Sequence, residues 1–363
     1  MSLSTVSRSL ELIAAHQHPS GAYPACPTYP VYGYSWFRDG AFIADGASRG
    51  GDVDGAGRFH DWCAGVLRAR ADKIVNLVGR ETTPAREEFL PTRYTLTGAD
   101  EQGSDWWNFQ LDGYGTWLWA LAEHLTRHKG DAGRYADVVS LTVRYLARFH
   151  DTPCYDWWEE SPDHIHVSTL GSIRGGLDAA LNLGILSEAE EAVARTTRDA
   201  IAALVATRGH TRDGGLAKWL GAETVDASLL ACLAPFGLAD PRGPVGRSTL
   251  AAVERDLVRD RGVHRYRADT FYGGGRWPVL AGFLGWVYAR AGRTAEANAQ
   301  LDWIVSTANP AGELPEQVGD PLLAPDRRAE WVDRWGEVAQ PLLWSHGMHL
   351  ILVDELARAG SMP

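Results

Sequence analysis

Three carboxylic acids lie beside two tryptophans in residues 154–167, whose sequence is CYDWWEESPDHIHV. The acids are Asp156, Glu159 and Glu160, and the helix-breaking Pro162 follows them at once. A carboxyl group packed against indole rings loses hydration, which raises its pKa and lets it donate a proton to a leaving oxygen. Indole rings also stack on sugars, so the segment predicts an acid catalyst for a carbohydrate. The alternative is a solvated loop whose tryptophans cover a core.

Other segments combine aromatic, basic and acidic residues in the same way. They are YGYSWFRDGAF with Trp36, Arg38 and Asp39; DEQGSDWWNFQLDGYG with Trp106, Trp107, Gln110 and Asp112; HRYRADTFYGGGRWP with Arg265, Asp269, Arg276 and Trp277; GELPEQV with Glu313 and Glu316; and PLLWSHGMHL with Trp344 and His346. The pair Arg38–Asp39 could clamp vicinal hydroxyls, or it could be a helix-capping Asp with an exposed Arg. Fifteen tryptophans, mostly next to charges, suit a sugar better than an apolar ligand.

Charge and composition exclude several classes of protein. The 363 residues carry a net charge of −11 without a basic block, which argues against nucleic acid or an anionic membrane as partner. No apolar run reaches the length of a membrane span. The N-terminal segment is amphipathic rather than a signal peptide, and the four cysteines are scattered and read as reduced thiols. These features predict a cytoplasmic protein.

Metal, nucleotide and serine-hydrolase chemistry fit the sequence poorly. The pairs His164/His166 and His346/His349 lack a third ligand at a recognisable spacing. There is no GxSxG motif, and the glycines of FYGGGRW do not follow a predicted strand as a nucleotide loop requires. We therefore predict neither a metal nor a cofactor.

Apolar residues recur at helical spacing in about twelve segments, and strand-like alternation is nearly absent. The predicted helices are 4–16, 37–49, 53–77, 109–128, 132–150, 167–183, 187–208, 224–234, 245–259, 277–291, 293–307 and 341–358. The connections after the odd-numbered helices are mostly long and rich in Gly, Pro, Trp and charge, whereas several others are very short. Six helix pairs would form a closed toroid, with the second helix of each pair inside and the long loops at one end. A stacked solenoid gives the same alternation but requires a repeating consensus, which is absent. We expect one domain spanning residues 1–363.

Six motifs together resemble glycoside hydrolase family 15, which contains glucoamylases, glucodextranases, trehalases and isomaltose glucohydrolases. In chain order they are YSWFRDGAF, QLDGYG, YDWWEE, RYRADTFYGGGRWP, LPEQV and LLWSH. The resemblance implies an all-α (α/α)6 barrel and inverting, exo-acting removal of glucose from a non-reducing end.

The same resemblance implies roles for individual residues. Glu159 resembles the general acid and Glu316 the general base. Arg38 and Asp39 resemble the clamp on the terminal glucose, and Arg265 resembles the arginine that contacts the sugar next to the scissile bond. The remaining residues assigned to substrate binding are Trp36, Trp106, Asp112, Trp158, Glu160, Trp277 and Trp344.

Inversion requires the two carboxyl groups to stand about 6.5–9.5 Å apart, so that water fits between base and sugar. Glu159 and Glu316 precede the sixth and twelfth predicted helices, which would face each other across the toroid. Glu316 is followed by a polar stretch, so we expect it to stay ionised. Val318 departs from the family, in which Tyr often occupies this position, and this puts the hydrogen bonding of the water in doubt.

The predicted substrate is a short α-linked gluco-oligosaccharide, because no β-sandwich or starch-binding module accompanies the barrel motifs. The resemblance favours α-1,6 linkages, since family members that consist of the barrel alone include isomaltose glucohydrolases. The pairs Trp106–Trp107 and Trp157–Trp158 would narrow the mouth around one or two sugars. An α-1,4 glucoamylase, a trehalase and a non-catalytic sugar-binding barrel are the alternatives. The sequence leaves the oligomeric state open.

Overall fold

The computed structural model describes residues 3–103 and 106–360. This part of the chain contains fourteen α-helices. They are α1 Leu3–His16, α2 Phe37–Gly50, α3 Val53–Arg68, α4 Ala71–Gly79, α5 Asp112–His128, α6 Ala136–Phe149, α7 Val167–Asn182, α8 Glu188–Arg208, α9 Leu229–Leu233, α10 Pro244–Leu257, α11 Pro278–Arg290, α12 Thr294–Ser306, α13 Arg328–Trp335 and α14 Leu343–Gly360. Within the described ranges, no helix combines the length and the hydropathy needed to cross a membrane.

Two short antiparallel strand pairs accompany the helices. Strand β1 (Ser35–Trp36) pairs with β2 (Arg93–Tyr94), and β3 (Val258–Arg259) pairs with β4 (Gly262–Val263). The first pair joins the loop that precedes α2 to the loop that precedes α5.

The helices form two concentric rings. The inner ring runs α2, α5, α7, α9, α11 and α14, in which each helix packs against the next and α14 closes on α2. The outer ring consists of α1, α3, α6, α8, α10 and α12. The predicted (α/α)6 barrel is confirmed, with the second helix of each pair inside.

The distribution of apolar residues explains which helices face inward. Helix α11 is apolar on nearly every side, and all residues from Pro278 to Ala289 are buried. Helix α8 buries only Ala194, Thr197, Ile201 and Val205, which recur every three or four residues. One apolar stripe suits a helix of an outer layer, whereas a helix buried all round needs apolar residues everywhere.

Three helix predictions were wrong in detail. The predicted helix 53–77 is divided into α3 and α4, because Arg70 leaves the helical conformation between them. The predicted helix 224–234 is only Leu229–Leu233, because the preceding residues are tied to other loops: Lys218 N–H donates to Thr224 O and Ala227 N–H to Arg265 O. Helix α13 was missed because none of its residues is buried and it therefore carries no apolar stripe.

The long connections carry the two candidate carboxylic acids to opposite sides of the inner ring. Glu159 lies in the loop before α7, and Glu316 lies in the loop between α12 and α14. Three steps around the ring separate α7 from α14 in either direction. The expected placement of the two loops across the barrel is confirmed.

Glycines let inner helices approach backbone to backbone. A Cβ added to Gly176 of α7 would lie 2.4 Å from Gly115 O of α5, and one added to Gly46 of α2 would lie 2.5 Å from Gly347 O of α14. Such distances leave no room for a methyl group, and backbone atoms cannot rotate away as a side chain can. The inner ring therefore depends on these glycines for its diameter.

We expect Gly176→Ala to lower the free energy of unfolding by about 1–3 kcal/mol, because the new methyl group overlaps a fixed carbonyl. The matched control is Gly65→Ala in the outer helix α3, where an added Cβ meets nothing within 4 Å. That change should be neutral or stabilising by up to about 1 kcal/mol, since alanine favours a helix over glycine. Urea unfolding followed by circular dichroism measures both, and equal effects of the two substitutions would contradict the packing argument.

Candidate active site

A cavity of about 610 Å³ collects the residues that the sequence marked. Its lining includes Trp36, Arg38, Asp39, Trp106, Trp158, Glu159, Glu160, Arg265, Trp277, Glu316 and Trp344. Among the residues to which the sequence analysis assigned catalysis or substrate binding, Asp112 alone lies outside this lining. It is fully buried, and its Oδ2 accepts a hydrogen bond of 3.1 Å from Arg38 Nη1.

The inner end of the cavity is closed by a buried charge pair above aromatic rings. Arg38 and Asp39 are only 4% and 8% exposed, and Arg38 Nε lies 3.3 Å from Asp39 Oδ2. Arg38 also donates to Gln110 Oε1 at 2.8 Å, and its guanidinium lies 5.5 Å from the Trp344 ring. Burial raises the pKa of Asp39 to about 6 despite Arg38. The alternative of an exposed arginine beside a capping aspartate is wrong, because Arg38 is buried at the bottom of the cavity.

Aromatic side chains fill the barrel beneath this pair. Phe42 stacks on Trp344 at 5.7 Å, and Phe283 packs on Phe42 at 5.0 Å and on Trp157 at 5.6 Å. The cavity is therefore a pocket with a floor rather than a channel.

The backbone of Glu159 adopts a left-handed conformation with φ +62°. This region costs a residue with a side chain about 1–3 kcal/mol, and such strain concentrates at functional sites. Asp156 stabilises the turn, because its Oδ1 accepts from the backbone N–H groups of Trp158 and Glu160, each at 2.9 Å. The Trp36 indole N–H in turn donates to Glu159 Oε1 at 2.7 Å.

A buried lysine supports this turn from behind, and the sequence analysis missed it. Lys218 Nζ lies 3.4 Å from Asp156 Oδ2 and 3.0 Å from Asp226 Oδ2. Asp226 accepts a hydrogen bond of 3.0 Å from the Trp158 indole N–H. The two carboxylates raise the pKa of Lys218 against the effect of its burial, so it remains an ammonium ion.

The environment of Glu159 favours its protonated form. Burial raises its pKa, while Arg38 and Arg93 oppose that shift. Arg93, which the sequence analysis also missed, faces Trp36 across the β1–β2 pair, and its guanidinium lies 5.0 Å from the Trp36 ring and 4.7 Å from the Trp106 ring. The sequence offered little signal for Arg93, because it lies outside every aromatic cluster.

Glu316 is buried and hydrogen-bonded by a residue that the sequence analysis did not select. Tyr32 Oη donates to Glu316 Oε1 at 2.8 Å, whereas Oε2 has no hydrogen-bond partner among the described residues. Burial raises the pKa of Glu316 to about 7, although Tyr32 and Arg265 lower it. The sequence predicted that Glu316 stays ionised because a polar stretch follows it, but the side chain is only 2% exposed, and burial disfavours the ionised form.

Two neighbouring aromatic rings connect the two carboxyl groups. The Tyr32 and Trp36 ring centroids lie 6.0 Å apart, with the rings nearly perpendicular. Tyr32 donates to Glu316 at one end of this pair, and Trp36 donates to Glu159 at the other. Tyr32 could have been selected from sequence, since it lies four residues before Trp36 in the same motif-bearing loop.

Glu160 and Arg265 form the outer part of the site. Arg265 Nη2 lies 3.3 Å from Glu160 Oε1, and Arg265 Nε donates to Asp269 Oδ2 at 2.8 Å. The Arg265 guanidinium packs between Trp158 at 5.3 Å and Trp277 at 5.5 Å from the ring centroids.

Val318 anchors the loop that carries Glu316 through its backbone. It exchanges two backbone hydrogen bonds with Arg276, at 2.8 and 3.1 Å, and Gln317 Oε1 accepts from Gly275 N–H at 2.8 Å. The structure thus ties the segment after Glu316 to the glycine-rich motif.

Two residues that the sequence analysis singled out, Trp107 and His346, do not line the cavity. Trp107 is outside the cavity lining, because its indole N–H donates to Arg86 O at 2.8 Å and its ring packs on Phe109. His346 Nε2 accepts from Leu314 N–H at 3.0 Å, which supports the loop that carries Glu316.

Within the described ranges, no group of three or more His, Cys, Asp or Glu side chains is arranged to hold a metal ion.

Comparison with known proteins agrees with this geometry. The family model described as glycosyl hydrolases family 15 matches residues 1–318. The chain is 53% identical over 351 residues to the isomaltose glucohydrolase of Kribbella flavida, covering 95% of this chain and 90% of that protein. A solved glycosidase structure is 50% identical in sequence and has a TM-score of 0.93. The match covers 98% of this chain and 96% of the chain in that structure.

A bacterial glucoamylase solved with acarbose shares the fold. Its TM-score is 0.74 at 19% identity, and the match covers 98% of this chain and 56% of the glucoamylase. The family model and the 53% identical relative, taken with the closed pocket and its two carboxylic acids, show that the chain belongs to glycosyl hydrolase family 15.

Proposed function

We propose that this family-15 protein is an inverting, exo-acting α-glucosidase that releases β-glucose from short α-gluco-oligosaccharides, with α-1,6 linkages preferred. The observation that supports this most is the placement of Glu159 and Glu316 at the two ends of the Tyr32–Trp36 pair, in a pocket with a closed floor. A non-catalytic sugar-binding barrel would not need two carboxyl groups held in this way by hydrogen bonds from Trp36 and Tyr32.

The closed floor accounts for exo action. A glucan can enter such a pocket only by its end, so the terminal glucose reaches Arg38 and Asp39. A guanidinium donates hydrogen bonds and a carboxylate accepts them, so the pair can bind adjacent hydroxyls of that sugar. The scissile bond then lies further out, between Glu159 and Glu316.

Glu159 acts as the general acid in this proposal. Burial raises its pKa and so favours the protonated form, which is the form that donates a proton to the glycosidic oxygen. The Trp36 N–H stabilises the carboxylate that remains after the transfer.

Glu316 acts as the general base on the opposite face of the sugar. Its ionised form takes a proton from a water molecule that attacks the anomeric carbon directly, which inverts the configuration there. Oε1 is occupied by Tyr32, whereas Oε2 has no partner among the described residues and is the oxygen that would accept the proton.

The proposed α-1,6 preference is supported by the similarity to one named relative. The Kribbella protein named isomaltose glucohydrolase is 53% identical over nearly the whole of both chains. A trehalase of Mycolicibacterium smegmatis is 26% identical over 83% of this chain and 49% of its own length. Isomaltose is therefore the first substrate to test, with maltose and trehalose as the competing disaccharides.

We also propose that the enzyme works in the cytoplasm as one catalytic unit, with the oligosaccharide as its partner. All four cysteines are free and buried, which suits a reducing compartment.

We expect Glu159→Gln and Glu316→Gln each to lower kcat on isomaltose by at least about 100-fold, because general acid or base catalysis contributes on the order of 10²–10⁴. The matched control is Glu313→Gln in the same loop as the base. Glu313 Oε2 accepts from Asn309 at 2.8 Å and lies outside the cavity lining, so this variant should keep near-native kcat. Glucose-release kinetics decide the roles, and near-native turnover of Glu316→Gln would refute the base assignment.

We expect the first glucose released from isomaltose to be the β-anomer, since direct attack by water inverts the α-linkage. Proton NMR before mutarotation distinguishes the two anomers. Initial α-glucose would exclude inversion, and faster turnover of maltose or trehalose than of isomaltose would overturn the linkage preference alone.

We expect kcat/KM to fall as the pH falls through about 7, because Glu316 must be ionised and its pKa is raised to about 7. The Tyr32 hydroxyl stabilises the ionised form, so Tyr32→Phe should raise this pKa and move the acidic limb to higher pH. The comparison uses pH profiles of kcat/KM for both proteins. An acidic limb that stays in place in Tyr32→Phe would show that another group controls it.

A further inference from the structure

Helix α13 lies at the mouth of the active-site cavity, in a segment that the sequence analysis did not assign. None of its residues is buried, and Trp331, Arg334 and Trp335 line the cavity. Trp335 is 37% exposed, which is high for a tryptophan in this protein. An exposed indole beside a polar cavity suits a ring that packs against a ligand.

The glycine-rich motif holds the segment before α13 in place. Tyr272, Gly273 and Gly274 all have positive φ, at 49°, 81° and 72°. Their carbonyls are thereby presented to the segment, and Ala324 N–H donates to Gly273 O at 2.9 Å while Leu323 N–H donates to Gly274 O at 3.3 Å. The glycines of FYGGGRW thus serve to dock a neighbouring chain segment.

Side-chain contacts hold the helix itself. The Trp331 ring packs edge-on against Phe271 at 4.9 Å, and Tyr272 Oη donates to Gly336 O at 2.9 Å. The Arg334 guanidinium lies 4.8 Å from the Trp335 ring and restricts its orientation. The wall at the mouth is therefore ordered without burying any residue of α13.

The position of α13 corresponds to the leaving-group side of the site. Arg38 at the inner end is 4% exposed, whereas the side chain of Glu160 near the mouth is 37% exposed. Phe271 connects α13 to this outer part, because the Arg265 guanidinium lies 5.0 Å from the Phe271 ring. A substrate with its terminal glucose at Arg38 thus directs its other sugars toward α13.

We propose that α13 selects short substrates: Trp335 packs against the leaving sugar of a disaccharide, and the helix obstructs the path of a third and further sugars. The proposal rests on the exo-glucosidase function and deepens it. It assigns the length preference to α13, in place of the tryptophan pairs 106–107 and 157–158. Of those pairs, Trp107 lies outside the cavity and Trp157 is 2% exposed.

The test compares Trp335→Ala, Trp335→Phe and wild type on isomaltose, isomaltotetraose and dextran. The matched control is Asp333→Ala, an exposed residue of the same helix outside the cavity lining. Trp335→Ala should raise KM for isomaltose about tenfold with little change in kcat, because it removes a contact made equally in the ground and transition states. The ratio of kcat/KM on isomaltotetraose to that on isomaltose should rise by about the same factor. Trp335→Phe should keep most of the preference for isomaltose over isomaltotetraose, and Asp333→Ala should leave that preference unchanged.

An unchanged ratio in Trp335→Ala, with a melting temperature like that of wild type, would overturn the proposal. So would faster hydrolysis of dextran than of isomaltose by the wild-type enzyme. If wild type released no glucose from isomaltose, the proposed function would fail separately. Calorimetric titration of the Glu316→Gln protein, with and without Trp335→Ala, would then decide the binding role of Trp335. Isomaltose should bind about tenfold more weakly when Trp335 is absent, and equal affinities would refute the role.

Discussion

The left-handed turn at Glu159 is the constraint on which the placement of the proposed general acid depends. A single carboxylate, Asp156, accepts both backbone N–H groups that flank Glu159 in sequence, and Lys218 neutralises that carboxylate from behind. An unpaired carboxylate buried at 2% exposure would be costly, so the ammonium group is needed for the turn to persist. Lys218 and Asp226 come from the loop before α9, which lies next to α7 in the inner ring. Glu159 thus depends on a neighbouring loop that carries neither of the two proposed catalytic carboxyl groups.

Glu316, the proposed base, is likewise held by contacts with a neighbouring loop. The segment after Glu316 exchanges backbone hydrogen bonds with Arg276, which lies just before α11. His346 of α14 accepts from Leu314 on the other side of Glu316. Neighbouring inner helices bring these loops together, and the glycine contacts between helices set how close they come. The barrel therefore supports the site through contacts between adjacent loops as well as through the helices themselves.

Much of the architecture was predictable because the spacing of apolar residues along a helix shows which sides of that helix are buried. An outer helix such as α8 repeats its apolar residues at one spacing, and an inner helix such as α11 is apolar throughout. Helix α13 lacked that signal, since contacts made only at the cavity mouth leave no apolar stripe. Arg93 and Lys218 were missed because their roles come from partners distant in sequence. The protonation of Glu316 was misjudged for the same reason, because its burial is created by other segments.

Because the pocket is closed at its inner end, the two products must leave one after the other. In the proposed reaction, the glucose released at the inner end has the leaving sugar between itself and the solvent, and the aromatic cluster of Phe42, Phe283 and Trp344 blocks any exit through the barrel. The leaving sugar must therefore diffuse away first, and the cleaved glucose follows through the same mouth. Free glucose at high concentration would occupy the place that the next substrate needs. The packing of the inner helices, far from the scissile bond, thereby links turnover to the sugar concentration around the enzyme.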